Sequence, residues 1–490
     1  MSESVVPGVS GLSLVVPPYR VPLAQWCEWT GNPAKKVEAV VGRSFRVCGP
    51  RQNAYTMAAD AVLDLIDRYD VDPADVGMLA LGTESSTDNA AGAVIVRGMV
   101  DQALGARGQA PLSRCCEVPE FKHACLGGVY GLKAAARYLA TDGRGRRAIV
   151  VTSDIAEYER GSTGEQTQGA GAVAMLLDTR PDLFELDLSR AGSSSAYRGV
   201  DFRKPFARHF IADYARDTQR PHDFPVFNGP YSTRCYIDAT MQALGHMLGR
   251  TGEGYDELLQ RVAAVICHRP YQQMPQQALA AAQIWSWARD EARGELDDLC
   301  ESAGLDPDRV RAQVTATPDL WSVVQREGLD ADPLAEALGA ARAFRKSARF
   351  AAWVERHMSL GDEIVQDLGN LYAASLPGWL GAAFEDAHAR ELDWAGQRLL
   401  ALGYGSGDAA EAMELRVVGH WQPAAAKLGF RQALAGAVDL ERHQYEALHD
   451  GADPQLPEVA PARFEVARVG ERNEPRFRDI GVEYYACHQA

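Results

Sequence analysis

Long apolar runs are missing from this 490-residue chain: no stretch of ~18 apolar residues occurs, which excludes a membrane-spanning helix as an organising element. Positive charge is also short, with 50 Lys and Arg against 66 Asp and Glu and a formal net charge of −16. A surface built for nucleic acid or an anionic membrane needs the opposite excess, so neither is expected as the main partner. Cysteine is sparse and unpatterned: nine residues, an odd number, with an adjacent Cys115 and Cys116 and no CxxC pair or Cys/His ladder. That argues against a disulfide framework and a structural zinc module, and for a reducing, cytoplasmic compartment. The stretch 1–7 has no basic segment followed by an apolar one, so export by a standard signal is not expected.

What is present is the composition of an ordinary globular protein, 46% hydrophobic and 24% charged, long enough for several domains or one large duplicated core. Apolar runs at 12–17, 78–83, 148–153 and 171–177 read as strands, and the patterns at 55–69 and 129–140 read as helices. Such alternation predicts a layered α/β architecture. The order returns later, with a helix over 232–248, a strand over 262–267, a helix opening near Asn370, and strands over 398–403 and 412–418. Aligned on that order, residues 1–180 and 181–490 form two halves. Glu84 and His268 then stand at matching strand ends, Cys125 and Asn370 at matching helix starts, and the four polar groups converge. The second half contains a predicted helical insertion over 281–360, with apolar residues at helical spacing in 284–302 and 334–357. Pro454, Pro457 and Pro461 make 450–461 a surface loop, and a last strand is expected near 481–487.

Cys125 is the most informative residue. At a helix start, unpaired N–H groups and the helix dipole favour thiolate, so a lowered pKa and a nucleophilic role are expected. The competing reading is a small apolar filler. Glu84 opens a polar run that would otherwise be a solvated loop, His268 ends an apolar strand where a structural histidine is common, and Asn370 would serve well as an N-cap.

Six segments together carry a resemblance: Gly-Thr-Glu-Ser at 82–85, Ala-Cys-Leu-Gly-Gly at 124–128, the Gly-rich run at 164–172, His-Arg-Pro-Tyr at 268–271, Gly-Asn-Leu-Tyr at 369–372 and Gly-Tyr-Gly-Ser-Gly at 403–407. In this order the chain resembles 3-hydroxy-3-methylglutaryl-CoA synthases, a condensing family of the thiolase fold. The resemblance implies a thiolase-like duplicated five-layer α-β-α-β-α fold with an extra helical segment in the second half. It implies that Cys125 takes up acetyl from acetyl-CoA, Glu84 removes a methyl proton, His268 protonates the alkoxide formed from acetoacetyl-CoA, and Asn370 orients the second substrate. It further implies substrate contacts from Asp154, Thr167, Tyr271, Gly405 and Ser406, a homodimer serving the mevalonate pathway, and no metal or redox cofactor.

The chain departs from the family where Gln273 and Gln277 replace usual lysines and Asn228 a usual aspartate; Asp154 is retained. Those losses motivate an alternative in which one substrate arrives on an acyl carrier protein, as in relatives that install polyketide β-branches, while the run at 164–172 resembles primary-metabolism bacterial enzymes more closely and keeps the CoA enzyme as the first reading. Arg43, Arg46 and Arg51, or Arg203, Lys204 and Arg208, would then meet the acidic carrier. A non-catalytic thiolase-fold scaffold is a third reading, opposed by the joint presence of Cys125, Glu84, His268 and Asn370.

Overall fold

The computed structural model describes residues 6–86, 88–204, 224–289 and 294–488. In the first half, β1 (Gly8–Val15) leads to α1 (Ala54–Arg68), β2 (Val76–Gly82), the two-residue β3 (Glu120–Phe121), α2 (Gly127–Ala140), β4 (Arg147–Ala156) and β5 (Gly169–Asp178). Asn53 starts α1: its side chain accepts from the N–H groups of Tyr55 and Thr56, while the Thr56 hydroxyl accepts from the Asn53 N–H. Two short strands follow, β6 (Phe184–Leu186) and β7 (Gly192–Ser195), then α3 (Gly229–Thr251) and β8 (Val262–Cys267).

Between β8 and the next strand lies a run of helices: α4 (Gln273–Arg289), α5 (Gly294–Ala303), α6 (Pro307–Ala316), α7 (Leu320–Glu327), α8 (Ala335–Phe344), α9 (Ala348–Met358) and α10 (Ser375–Ala389). The core closes with β9 (Arg398–Gly405) and β10 (Ala409–Val417), followed by α11 (Arg442–His449) and a terminal hairpin of β11 (Phe464–Val469) and β12 (Glu483–Cys487). The loop over 450–461 holds no helix or strand, as its prolines require.

A ten-stranded mixed sheet runs in the order β8-β9-β10-β6-β1-β5-β4-β2-β3, with β7 paired to β10. Within it one pattern occurs twice. β2 pairs parallel with β4 and β4 antiparallel with β5; β8 pairs parallel with β9 and β9 antiparallel with β10. Each unit sends a helix between its parallel strands, α2 in the first and α10 in the second.

The period-2 geometry of a strand separates two cores. Met78, Ala80, Val150 and Val173 face one core with Leu126, Val129 and Leu132 around α2. Leu79, Leu81, Ile149 and Val151 face the other with Met57, Val62 and Ile66 of α1. These strands are covered on both faces, which is why they read as near-continuous apolar runs.

The helical segment differs in detail from its sequence reading. The 334–357 pattern is two helices, α8 and α9, because Ser347 caps the second by accepting from the Phe350 N–H. The 284–302 pattern crosses 290–293, which lie outside the described residues.

Candidate active site

β2 and α2 place the first pair of groups. Gly82 and Gly128 allow the start of α2 to lie against the end of β2: a Cβ on Gly82 would meet the Gly128 nitrogen at 2.6 Å, and one on Gly128 would meet Thr152 Cγ2 at 2.3 Å. Cys125 sits just ahead of α2, after Ala124, whose φ of 44° is left-handed. Across from it, Tyr372 is also left-handed with φ 45°. Backbone held in this region costs free energy and is kept where surrounding structure fixes it.

Cys125, His268, Asn370, Thr167, Tyr271 and Ser406 all line one cavity of about 250 Å³. Glu84 is buried beside it, with Oε2 4.0 Å from the Cys125 sulfur. Tyr158, Phe202, Phe227 and Tyr372 complete an aromatic wall around the thiol. The sequence reading missed this wall; its members come from four separate segments with no shared spacing.

The electrostatics correct the expected lowering of the Cys125 pKa. The Cys125 thiol is pushed well above its ordinary value, first by burial and then by the neighbouring Glu84 and Asp154 carboxylates. Burial and two acidic neighbours outweigh the helix start, so the resting site holds a thiol. His268 is pushed down to about 3 by burial alone, so near neutral pH its imidazole is uncharged. Among the described residues its buried Nδ1 has no hydrogen-bond partner, and the ring stacks on Tyr404 at 6.4 Å. Glu84 is raised, chiefly by desolvation, with Lys204 acting in the opposite direction.

Asp154 is not at the cavity wall. It is fully buried, and its Oδ1 accepts from the Thr83 hydroxyl and the N–H groups of Glu84 and Ser85 at 2.9, 2.8 and 3.0 Å, while Oδ2 accepts from the Ala373 N–H at 2.9 Å. It therefore ties the Glu84 loop of the first unit to the Asn370 loop of the second. Asn370 caps locally too: its Oδ1 accepts from the Tyr372 N–H at 2.9 Å, ahead of the turn leading into α10. Gly405 ends β9, packed so tightly that a Cβ would meet the His123 carbonyl at 2.5 Å.

A buried cluster lies behind Tyr404 and was not read from the sequence. Tyr404 donates to Asp201 at 2.8 Å, and Arg198 pairs with Asp238 and, at 3.3 Å, with Asp408. Asp201, Cys235 and Asp408 offer atoms within 4.8 Å of one another, with Arg198 among them. Asp408 is pushed up to about 7, first by burial. An aspartate within the run Gly-Val-Asp-Phe at 199–202, flanked by apolar residues, was the available sign.

The departures also have places. Asn228 donates from Nδ2 to the Val200 carbonyl at 3.1 Å, a bond an aspartate could not make. Gln273 donates to the Ala39 carbonyl and accepts from Arg345, and Gln277 donates to the Tyr271 hydroxyl. Of the arginines offered to a carrier, Arg46 is buried and donates to the carbonyls of Pro17 and Leu434, which removes it from any docking surface. Arg43 pairs with Asp367 at 2.6 Å, Arg51 meets Glu465 at 3.3 Å, and Arg203 donates to the Gly199 carbonyl at 2.9 Å. Arg208 lies outside the described residues.

Residues 5–182 match the family model described as hydroxymethylglutaryl-coenzyme A synthase N terminal. A hydroxymethylglutaryl-CoA synthase of Haloferax volcanii is 29% identical over 401 residues, covering 81% of this chain and 80% of the relative. One of Enterococcus faecalis is 30% identical over 275 residues, 56% of this chain and 63% of that protein. Among solved structures, MvaS in complex with 3-hydroxy-3-methylglutaryl coenzyme A superposes with a TM-score of 0.75 at 26% identity, covering 99% of both chains. The curacin-pathway HMG synthase bound to an acetylated donor acyl carrier protein shares the fold, with a TM-score of 0.68 at 19% identity over 99% of this chain and all of that one (100%).

Proposed function

We propose that this chain, which belongs to the hydroxymethylglutaryl-CoA synthase family, condenses acetyl-CoA with acetoacetyl-CoA and water to give 3-hydroxy-3-methylglutaryl-CoA and CoA. Support comes above all from one observation: Cys125, His268 and Asn370 face a single cavity with Glu84 4.0 Å from the sulfur.

In this reading the Cys125 sulfur attacks the acetyl carbonyl, the C–S bond to CoA breaks, and CoA leaves with the thiol proton. Glu84 then takes a proton from the acetyl methyl group. With its pKa raised, the ionised form of Glu84 is a stronger base than an ordinary carboxylate, which suits a weakly acidic C–H. The carbanion forms a C–C bond to the ketone carbon of acetoacetyl-CoA, and the oxygen takes up the proton that Glu84 removed, which restores the Glu84 carboxylate. His268, neutral in the resting site, supplies a ring N–H to that oxygen and becomes more basic as charge develops there. Asn370 holds the second thioester. Water then cleaves the thioester to Cys125 and restores the thiol. Thr167, Tyr271 and Ser406 shape the acyl pocket, whereas Asp154 acts by positioning.

The division at residue 180 into an acyl-accepting half and a half holding His268 and Asn370 belongs to the same reading, as do cytoplasmic residence, a homodimer and service to the mevalonate pathway. A carrier-bound substrate is the second reading, motivated by Gln273 and Gln277.

Intact-protein mass after mixing with acetyl-CoA tests the proposal. Wild type is expected to gain one acetyl group and Cys125→Ser none. A gain from an acetylated carrier protein alone would replace CoA with the carrier, and no gain from either donor would end the catalytic reading.

A further inference from the structure

A second, smaller cavity of about 190 Å³ adjoins the Cys125 cavity, between α3, α4 and α8. Thr233 lines both, and Gln277 on the wall of the small cavity donates to the hydroxyl of Tyr271 on the wall of the large one, at 3.3 Å. The two spaces therefore meet at Thr233 and along the Gln277–Tyr271 contact.

The charge lining the small cavity is unusual for so acidic a chain. Arg342 and Arg345 are three residues apart, at the end of α8 and just beyond it, and thus share one face, where like charges repel. Among the described residues neither forms an ion pair with a carboxylate. Arg234, the third arginine, meets Asp332, the one acid of the wall among the described residues, at 3.9 Å and donates to the Leu329 carbonyl. Arg345 donates one N–H to Gln273 at 3.0 Å, yet its buried Nε has no acceptor among the described residues. A guanidinium kept half-buried, with a buried donor unsatisfied and a like charge beside it, is the arrangement that a doubly accepting anion would complete.

Resting on the reading that Cys125 is loaded from a CoA thioester, we propose that Arg342 and Arg345 bind the phosphate groups of CoA, while its pantetheine arm runs past Gln277 and Tyr271 toward Cys125. The thioester end needs no charge for recognition in an aromatic pocket, so the phosphates are the part of the molecule that two arginines without a carboxylate partner among the described residues can select. The helical segment, which lies beyond the family match over 5–182, thereby acquires a role: it supplies the cationic end of the substrate channel.

Calorimetric titration with CoA, and separately with pantetheine, tests this on wild type and on the double variant Arg342→Gln/Arg345→Gln. CoA is expected to bind at least about tenfold more weakly to the variant, with pantetheine unchanged and Arg345→Lys recovering much of the loss. Unchanged CoA affinity would overturn the proposal, and so would an equal loss for pantetheine, which would mark a general disturbance. A third titrant, a phosphopantetheinylated carrier protein, decides the source of the phosphate: dependence on the arginines for that carrier and not for CoA would also overturn it. Binding is read without turnover, so failure of Cys125 to acetylate would sink the catalytic reading while leaving this one to its own result.

Discussion

A thiol buried beside Glu84 and Asp154 ionises with difficulty, and in this molecule that outweighs its position ahead of a helix. Cys125 is therefore expected to react slowly with iodoacetamide at neutral pH, with a rate still climbing beyond pH 9.0, its ordinary value, because burial and two carboxylates disfavour the thiolate. Glu84→Gln removes one of those negative charges and should move the whole profile to lower pH. A plateau at neutral pH in wild type would contradict this description of the resting site. The place of Cys125 ahead of a helix was legible in the sequence; its protonation state was not, since burial and the approach of Asp154, 29 positions later, exist only in the fold. His268 follows the same logic: its place after an apolar strand could be read, whereas the burial that lowers its pKa could not.

Among the elements, α11 has the clearest consequence beyond its own packing. The Tyr445 hydroxyl donates to Glu165 Oε1 at 2.7 Å and accepts from Gln168 Nε2 at 2.8 Å. Gln168 Oε1 in turn accepts from the Tyr158 N–H at 3.0 Å, and Arg160 reaches Asp450 at 2.9 Å. A C-terminal helix thus fixes the loop that brings Tyr158, Thr163, Gly164 and Thr167 to the acyl cavity. Tyr445→Phe leaves a buried carboxylate oxygen and an amide without their partner and should destabilise the fold by about 1–3 kcal/mol. Urea unfolding measures this, and the same variant should acetylate Cys125 more slowly; wild-type stability would show that the tie contributes nothing.

Regular elements were easier to read than this tie. The run 148–153 is apolar because both faces of β4 are covered, and 55–69 shows a helical stripe because α1 has one buried side. The Tyr445 contact joins residues 280 positions apart through one hydroxyl, and no local pattern announces such a pair.

At the scale of the whole molecule, the sheet repeats a parallel-then-antiparallel unit, and the four candidate groups come from equivalent ends of its two copies. Glu84 follows β2 and His268 follows β8; Cys125 precedes α2, and Asn370 lies in the turn before α10. The element order, read twice along the chain, put these groups at matching strand ends and helix starts, and the motif resemblance singled them out as a set. What the order did not reveal is how the units are held in register. Asp154 does this by accepting from Glu84 and Ala373 at once, and the Lys133–Glu411 pair, buried at 2.5 Å, joins α2 to β10. Charged residues in those positions read as solvent-facing when only neighbours in sequence are visible. No helix among the described residues is long and apolar enough to cross a membrane.

The central claim is a carbon–carbon bond made on an acyl-cysteine. It is tested most directly by incubating wild type and Cys125→Ser with acetyl-CoA and acetoacetyl-CoA and identifying the products by chromatography with mass detection. The account predicts 3-hydroxy-3-methylglutaryl-CoA and an equal amount of free CoA from wild type, and neither from the variant. Cleavage of acetoacetyl-CoA to two acetyl-CoA, or the same product from the Cys125→Ser protein, would contradict it.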